Sequence, residues 1–273
     1  MSGVELRATT RLVGIIGWPV AHSLSPVMHN AAFAALRLDW AYVPLPVEAR
    51  LVGEAVRGLV ALGFVGANVT IPHKTAVLDC CDELDDGARR AGSVNTLVVR
   101  EGRVLGSSTD GLAVTGAVDA AGAHVLMLGA GGAAQAVAVA LLDAGAARVT
   151  VAARRPAGAE RLVAHLLGTF PGAAVDVAKA WPPAVPGATV VVNATPLKDE
   201  LAVEPLTHQQ VVDLAYLPDR RETALVRVAR ERGCPRVVDG LEVLVRQGAA
   251  SFRRWTGLPA PVEVMRAAVR GVG

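Results

Sequence analysis

The stretch Val125-Leu126-Met127-Leu128-Gly129-Ala130-Gly131-Gly132-Ala133-Ala134 fixes the fold class of this 273-residue chain. Its apolar opening predicts a buried strand, and the alanine-rich run that follows, to Ala144, predicts a helix. Between them lies G-x-G-x-x-A, the turn that joins strand to helix where a dinucleotide docks. Gly129 permits the tight turn and Gly131 lets backbone approach a pyrophosphate. Ala134 is small enough for close helix-to-strand packing. Free amides, with Gly132 and Ala133 in the first turn, and the positive end of the helix dipole receive the anion. The strand Arg148 to Ala152 completes a βαβ unit.

Working outward, three short apolar runs, Thr189 to Val192, Val211 to Leu214 and Arg236 to Val238, extend a parallel sheet. A helix from Leu241 to about Arg254 follows, and a last one after Pro261. Upstream, strands Leu12 to Gly17 and Ala41 to Val47 alternate with helices from Pro26 to about Arg37 and toward Leu62. A further strand ends at Thr70, and Pro72 is expected to open a helix beneath Lys74. Ser25-Pro26 reads as a helix cap and its first residue. A helix starts in the acidic Asp82 to Asp86. Val94 to Arg100 turns at Glu101-Gly102 into Val104 to Ser107 as a hairpin. The expected fold is α/β with two domains. Residues 1–111, completed by helices in 241–273, form a substrate domain, and 112–240 form a Rossmann-type dinucleotide domain.

Composition narrows the function. A net charge of +2, with no basic run interleaved with aromatics, gives no nucleic-acid footprint, so the expected partner is a small molecule. Cys80, Cys81 and Cys234 are odd in number and lack metal-ligand spacing, which points to buried thiols in a reducing compartment. Met1 to Thr10 lacks the layout of a secretory signal, so a cytoplasmic location is expected. Ala120 to Leu142 carries no Asp, Glu, Lys or Arg, and its glycines cut it into strand and helix lengths rather than a membrane span.

Two polar clusters sit at strand ends. Asn68-Val69-Thr70-Ile71-Pro72-His73-Lys74 offers an amide, a hydroxyl and an ammonium, a set that suits a small polyol. His22-Ser23-Leu24-Ser25-Pro26 adds two hydroxyls. His22, His29 and His73 have no carboxylate or cysteine at ligand spacing, so no metal is expected. At the end of the second dinucleotide strand, Ala152-Ala153-Arg154-Arg155 supplies cations where an NAD binder has an acid. Arginine favours a 2′-phosphate, which makes NADP the expected cofactor.

These motifs, in order, resemble the shikimate dehydrogenase family over nearly the whole chain. Gly17 to Asn30 matches G-x-P-x-x-H-S-x-S-P-x-x-H-N, and Asn68 to Lys74 matches N-V-T-x-P-x-K. Asn95-Thr96, Thr109-Asp110-Gly111, Asn193-Ala194-Thr195-Pro196, Asp213-Leu214-Ala215-Tyr216, Asp239-Gly240-Leu241 and Gln247-Gly248-Ala249 continue the series. The resemblance implies NADPH-dependent, reversible reduction of 3-dehydroshikimate to shikimate in a cleft between the domains, with Lys74 and Asp110 as the catalytic pair. It implies that Ser23 and Ser25 hold the substrate carboxylate with Tyr216, and that Asn68, Thr70, Asn95 and Gln247 bond its ring hydroxyls. Thr195, Leu214 and Gly240 join Gly129, Ala130, Gly131, Gly132, Ala133, Arg154 and Arg155 around NADP, in a monomer or homodimer. Quinate or aminoshikimate dehydrogenases, and a metabolite-sensing homologue without catalysis, share the scaffold. Three positions depart from the pattern: Ala153 replaces an asparagine, Gly158 replaces a second cation, and Lys198 replaces a glycine in the loop expected near the nicotinamide.

Overall fold

A computed structural model describes residues 6–271, so the expectations resting on residues 1–5 and 272–273 lie outside the described residues. The chain divides into two compact units, Met1–Thr109 with Leu244–Gly273 and Asp110–Val243.

The first unit holds a six-stranded mixed sheet. Its strands are β1 (Arg11–Gly17), β2 (Trp40–Pro46), β3 (Gly66–Val69), β4 (Glu83–Leu84), β5 (Thr96–Arg100) and β6 (Arg103–Ser107), in the order β2-β1-β3-β5-β6-β4. Helices α1 (Ser25–Ala35), α2 (Val52–Ala61) and α3 (Asp86–Ala91) lie between strands. β1 runs parallel to β2 and β3, so the ends of β1 and β3 place Gly17 and Thr70 side by side: a Cβ at Gly17 would lie 2.3 Å from the Thr70 methyl. β5 and β6 form the expected hairpin. Glu101 (φ 51°) and Gly102 (φ 76°) both take the left-handed conformation that a two-residue type I′ turn demands.

The second unit is built on α4 (Asp110–Thr115), β7 (His124–Leu128), α5 (Gly132–Asp143), β8 (Arg148–Ala152), α6 (Pro156–Thr169), β9 (Ala174–Val177), β10 (Val190–Asn193), β11 (Gln210–Asp213), α7 (Ala224–Glu231) and β12 (Arg236–Val238). All its strand pairs are parallel, in the order β9-β8-β7-β10-β11-β12, the doubly wound dinucleotide-binding order. Both faces are covered. Val125, Met127, Val149, Val151, Val190 and Val192 pack on one side, Leu126, Leu128, Val191 and Val211 on the other, which is why these strands read as unbroken apolar runs. α8 (Gly240–Thr256) carries the chain back to the first unit, where α9 (Val262–Arg270) packs on α1.

Several expectations are corrected. Ser25 is the first residue of α1 rather than its cap. Leu24 holds the cap position with no side-chain bond, and the Ser25 amide donates to Ser23 Oγ at 3.2 Å. No helix opens at Pro72, because Thr70 to His73 close a turn and the helical segment is a short 3₁₀ stretch, Ala76–Cys80. β4 and β9 go beyond the expected strands, since both are short, partly exposed edge strands. The cysteines are half-buried rather than buried, and burial pushes the Cys81 thiol up to about 12. Among the described residues no helix is long and apolar enough to cross a membrane.

Candidate active site

In the first unit, main-chain bonds at the strand ends set the site. The Thr70 amide donates to Ile16 O at 2.9 Å, and the His73 amide turns back to Thr70 O at 2.9 Å. Lys74 follows, half-buried, and its carbonyl accepts the Val94 amide at 2.8 Å, which fixes it beside Asn95. Buried His73 is anchored separately, with Nε2 2.7 Å from Val47 O. Ser25 is buried and Ser23 half-buried at the foot of α1.

Asn68 and Asn95 are both buried and share one polar network. Asn68 Nδ2 donates to Asn95 O at 3.1 Å and Ser251 Oγ at 2.9 Å. Asn95 Oδ1 accepts the Thr109 amide at 2.8 Å, and its Nδ2 reaches Thr109 Oγ1 at 2.9 Å and Gln247 Oε1 at 3.4 Å. The structure thus brings Asn68, Asn95, Gln247 and, through Val94, Lys74 together. Thr109 is the residue before Asp110, so a trans peptide step of about 3.8 Å between Cα atoms ties the buried Asp110 to this network.

In the second unit the dinucleotide features converge where strand order reverses, between β7 and β10. Gly129 adopts φ 106°, and a Cβ there would lie 2.8 Å from Ala194 O, so the turn after β7 presses on the segment after β10. Thr195 is held by Asn193 Oδ1, which accepts from its amide at 3.0 Å and its hydroxyl at 2.6 Å. Asn193 Nδ2 in turn donates to Asp213 Oδ1 at 2.8 Å, and Asp213 also accepts from Thr223 Oγ1 at 2.5 Å and the Ala215 amide at 2.9 Å. A Cβ at Gly240 would lie 2.1 Å from Ala215 O, which places Gly240 against the Leu214 to Tyr216 segment.

The residues present fit a dinucleotide. Gly131 caps α5 with no side-chain bond and open space where its Cβ would point, and Ala134 is fully buried. Amides of the first α5 turn, at Gly132 and Ala133 beside Ala130, are therefore uncapped by side chain and face an approachable surface. Arg154 and Arg155 are exposed at the end of β8, free of ion pairs among the described residues, and a Cβ at Gly158 would sit 3.6 Å from that of Ala130. No group of three His, Cys, Asp or Glu that could hold a metal occurs among the described residues.

Residues 15–97 match the shikimate dehydrogenase substrate binding domain, 240–270 the shikimate 5′-dehydrogenase C-terminal domain, and 125–239 the saccharopine dehydrogenase NADP binding domain. A curated shikimate dehydrogenase (NADP(+)) of Rubrobacter xylanophilus is 45% identical over 287 residues, 100% of each chain. The chain belongs to the shikimate dehydrogenase family. Another member, the shikimate 5-dehydrogenase of Thermus thermophilus solved with NADP(H) and shikimate, superposes with a TM-score of 0.81 at 33% identity, covering 97% of this chain and 100% of that one. A quinate dehydrogenase of Corynebacterium glutamicum solved with NAD has a TM-score of 0.84 at 30% identity, covering 95% and 98%. The fold is therefore that of a two-domain α/β dehydrogenase.

Lys198 lies half-buried in the loop after β10, and its carbonyl accepts the first amide of α7, Ala224, at 2.7 Å. Tyr42, Thr96, Thr109, Ser251, Asn193, Asp213 and Thr223 carry no role legible in the sequence. Several stand inside the quoted motifs, but their hydrogen bonds cross up to 183 positions of sequence, which no local pattern reveals.

Proposed function

We propose that this protein is an NADP-dependent shikimate dehydrogenase, reducing 3-dehydroshikimate reversibly to shikimate with NADPH. The observation that carries the reading is the polar network from Lys74 through Val94 and Asn95 to Thr109, which leads along the chain to Asp110. The unit of residues 1–109 and 244–273 supplies most of the substrate contacts, and residues 110–243 hold the nucleotide and add Asp110 and Tyr216.

NADP, when bound, supplies the hydride acceptor or donor. Gly129, Ala130, Gly131, Gly132 and Ala133 receive its pyrophosphate, Arg154 and Arg155 its 2′-phosphate, and Thr195, Leu214 and Gly240 border it. Ser23, Ser25 and Tyr216 hold the substrate carboxylate, while Asn68, Thr70, Asn95 and Gln247 bond the ring hydroxyls. During reduction, negative charge develops on the carbonyl oxygen. Lys74 stabilises that charge and delivers a proton from Nζ to the oxygen, with the Asp110 carboxylate orienting the ammonium. In the oxidative direction the same nitrogen takes the hydroxyl proton. The odd set of unpaired cysteines supports a cytoplasmic setting, and the protein acts as a monomer or homodimer.

The test is turnover with shikimate and with quinate, each with NADP and NAD, followed by the absorbance of the reduced nicotinamide. Shikimate with NADP is the expected best pair. Preference for quinate would reassign the substrate, and no turnover with any pair would overturn the reading. Lys74→Ala should lower kcat by about two or more orders of magnitude and leave the NADP dissociation constant within about twofold. Near-normal turnover would remove Lys74 from the chemistry.

A further inference from the structure

Asn68 is among the residues assigned to a polyol ligand, and most of its hydrogen-bonding capacity is engaged inward. A primary amide has two N–H protons and a carbonyl oxygen with two lone pairs. Asn68 Nδ2 has Asn95 O at 3.1 Å, Ser251 Oγ at 2.9 Å and Thr96 Oγ1 at 3.3 Å within reach, and Oδ1 accepts from the Tyr42 hydroxyl at 2.9 Å. The residue is 4% exposed. Asn95 O can only accept, so it holds the nitrogen end of the amide toward β5, and Tyr42 must then donate to the oxygen end.

Tyr42 is itself held firmly. Its amide donates to Asn30 Oδ1 at 2.8 Å, its carbonyl accepts from Asn30 Nδ2 at 3.0 Å, and its ring stacks on His29 at 4.6 Å and 8°. On the far side, Ser251 Oγ lies 2.8 Å from Thr96 Oγ1 and donates to Gln247 O at 3.1 Å. Ser251 stands one helical turn after Gln247 on α8, so its bonds to β3 and β5 set where Gln247 stands relative to Asn95.

We infer that Tyr42 and Ser251 are positioning residues for substrate recognition, acting from opposite ends of the Asn68 amide to fix Asn95 and Gln247. The inference rests on the shikimate dehydrogenase reading. Neither residue touches the reacting atoms. Asn68 is the hub of this arrangement: both of its N–H donors face internal acceptors, and the Tyr42 bond engages one lone pair of its oxygen.

The test is steady-state kinetics of Tyr42→Phe and Ser251→Ala, with NADP binding measured separately by nucleotide fluorescence. Tyr42→Phe keeps the stack on His29 and removes only the hydroxyl. Each variant should raise the KM for shikimate by about tenfold, the size of one lost hydrogen bond, with kcat lowered by no more than about twofold and NADP affinity unchanged. The double variant should be less than additive, since both act through one amide. A role in folding alone would lower the melting temperature and leave KM unmoved. Ser251→Ala carries the test if Tyr42→Phe does not fold. A shikimate KM within about twofold of wild type in the folded variants overturns the inference while wild-type turnover leaves the function standing. A wild type inactive on shikimate would instead defeat the function.

Discussion

His29 and Asp213 show how burial works on single residues in opposite directions. His29 is fully buried among Tyr42, Phe33, Phe252 and Trp255, with neither ring nitrogen hydrogen-bonded among the described residues, and burial pushes its imidazole down to about 3. Burial pushes the Asp213 carboxyl up to about 6, although bonds from Thr223, Ala215 and Asn193 hold back part of the rise. For His29 the unfolded chain binds the extra proton, so stability is lost as pH falls from 6.5 toward about 3. For Asp213 the folded chain binds it, so that contribution is present below 3.8 and is lost as pH rises through about 6. The two partly cancel in mildly acidic solution. His29→Phe removes the first contribution while keeping the ring stack. Urea unfolding across the His29 window, from 6.5 down toward about 3, should then lose a slope of up to about 1.4 kcal/mol per pH unit. Parallel pH profiles for the variant and wild type would show that the imidazole is not the group that titrates on unfolding. Nothing in the sequence marked His29 as core. It sits in a motif of serines and an asparagine, and only the folded aromatic stack explains its burial.

At the scale of elements, legibility follows burial. β7, β8, β10, β11 and β12 were readable because both faces of the parallel sheet are covered, which forces continuous apolar runs, and the β5–β6 hairpin because its turn needs two left-handed residues. Pro72 and Ser25 misled because proline and serine serve turns and helix starts alike. Here a turn from Thr70 to His73 and a leucine at the cap position took precedence. The end of β8 and the start of α6 carry a functional consequence. Arg154 and Arg155 flank a helix start with no side-chain cap and no acid in its first turn, so nothing there offsets their charge. An Arg154→Ala/Arg155→Ala variant should weaken NADP binding by about tenfold or more, the scale of a charge-assisted hydrogen bond, and change NAD binding by less than about twofold. Calorimetric titration of both nucleotides measures this. Equal loss for the two would mean that the arginines serve the common part of the dinucleotide.

Over the whole molecule, the path of the chain makes the two units unequal. Residues 110–243 are contiguous, of ordinary domain size, and carry a complete sheet with both faces packed from within. The other unit is assembled from two separated segments. Residues 1–109 supply its sheet, but Phe252, Trp255, Met265 and Val269 come from 244–271, as does Ser251, the partner of Asn68 and Thr96. Trp255 Nε1 also donates to Leu97 O at 2.9 Å, and Gly66 is excluded from bearing a side chain because a Cβ there would lie 2.6 Å from that same nitrogen. Without the C-terminal segment, Tyr42, Phe33 and His29 lose the rings that cover them, and Thr96 and Asn68 lose a polar partner while still partly enclosed, a combination costly on both counts. A fragment of residues 110–243 should therefore melt cooperatively and gain melting temperature with NADP, because a ligand that binds only the native form stabilises it in proportion to the logarithm of its concentration. Residues 1–109 alone should show no cooperative transition, and supplying 244–273 in trans should restore one. Cooperative melting of residues 1–109 by themselves would show that the aromatic cluster on α8 is dispensable for the first unit.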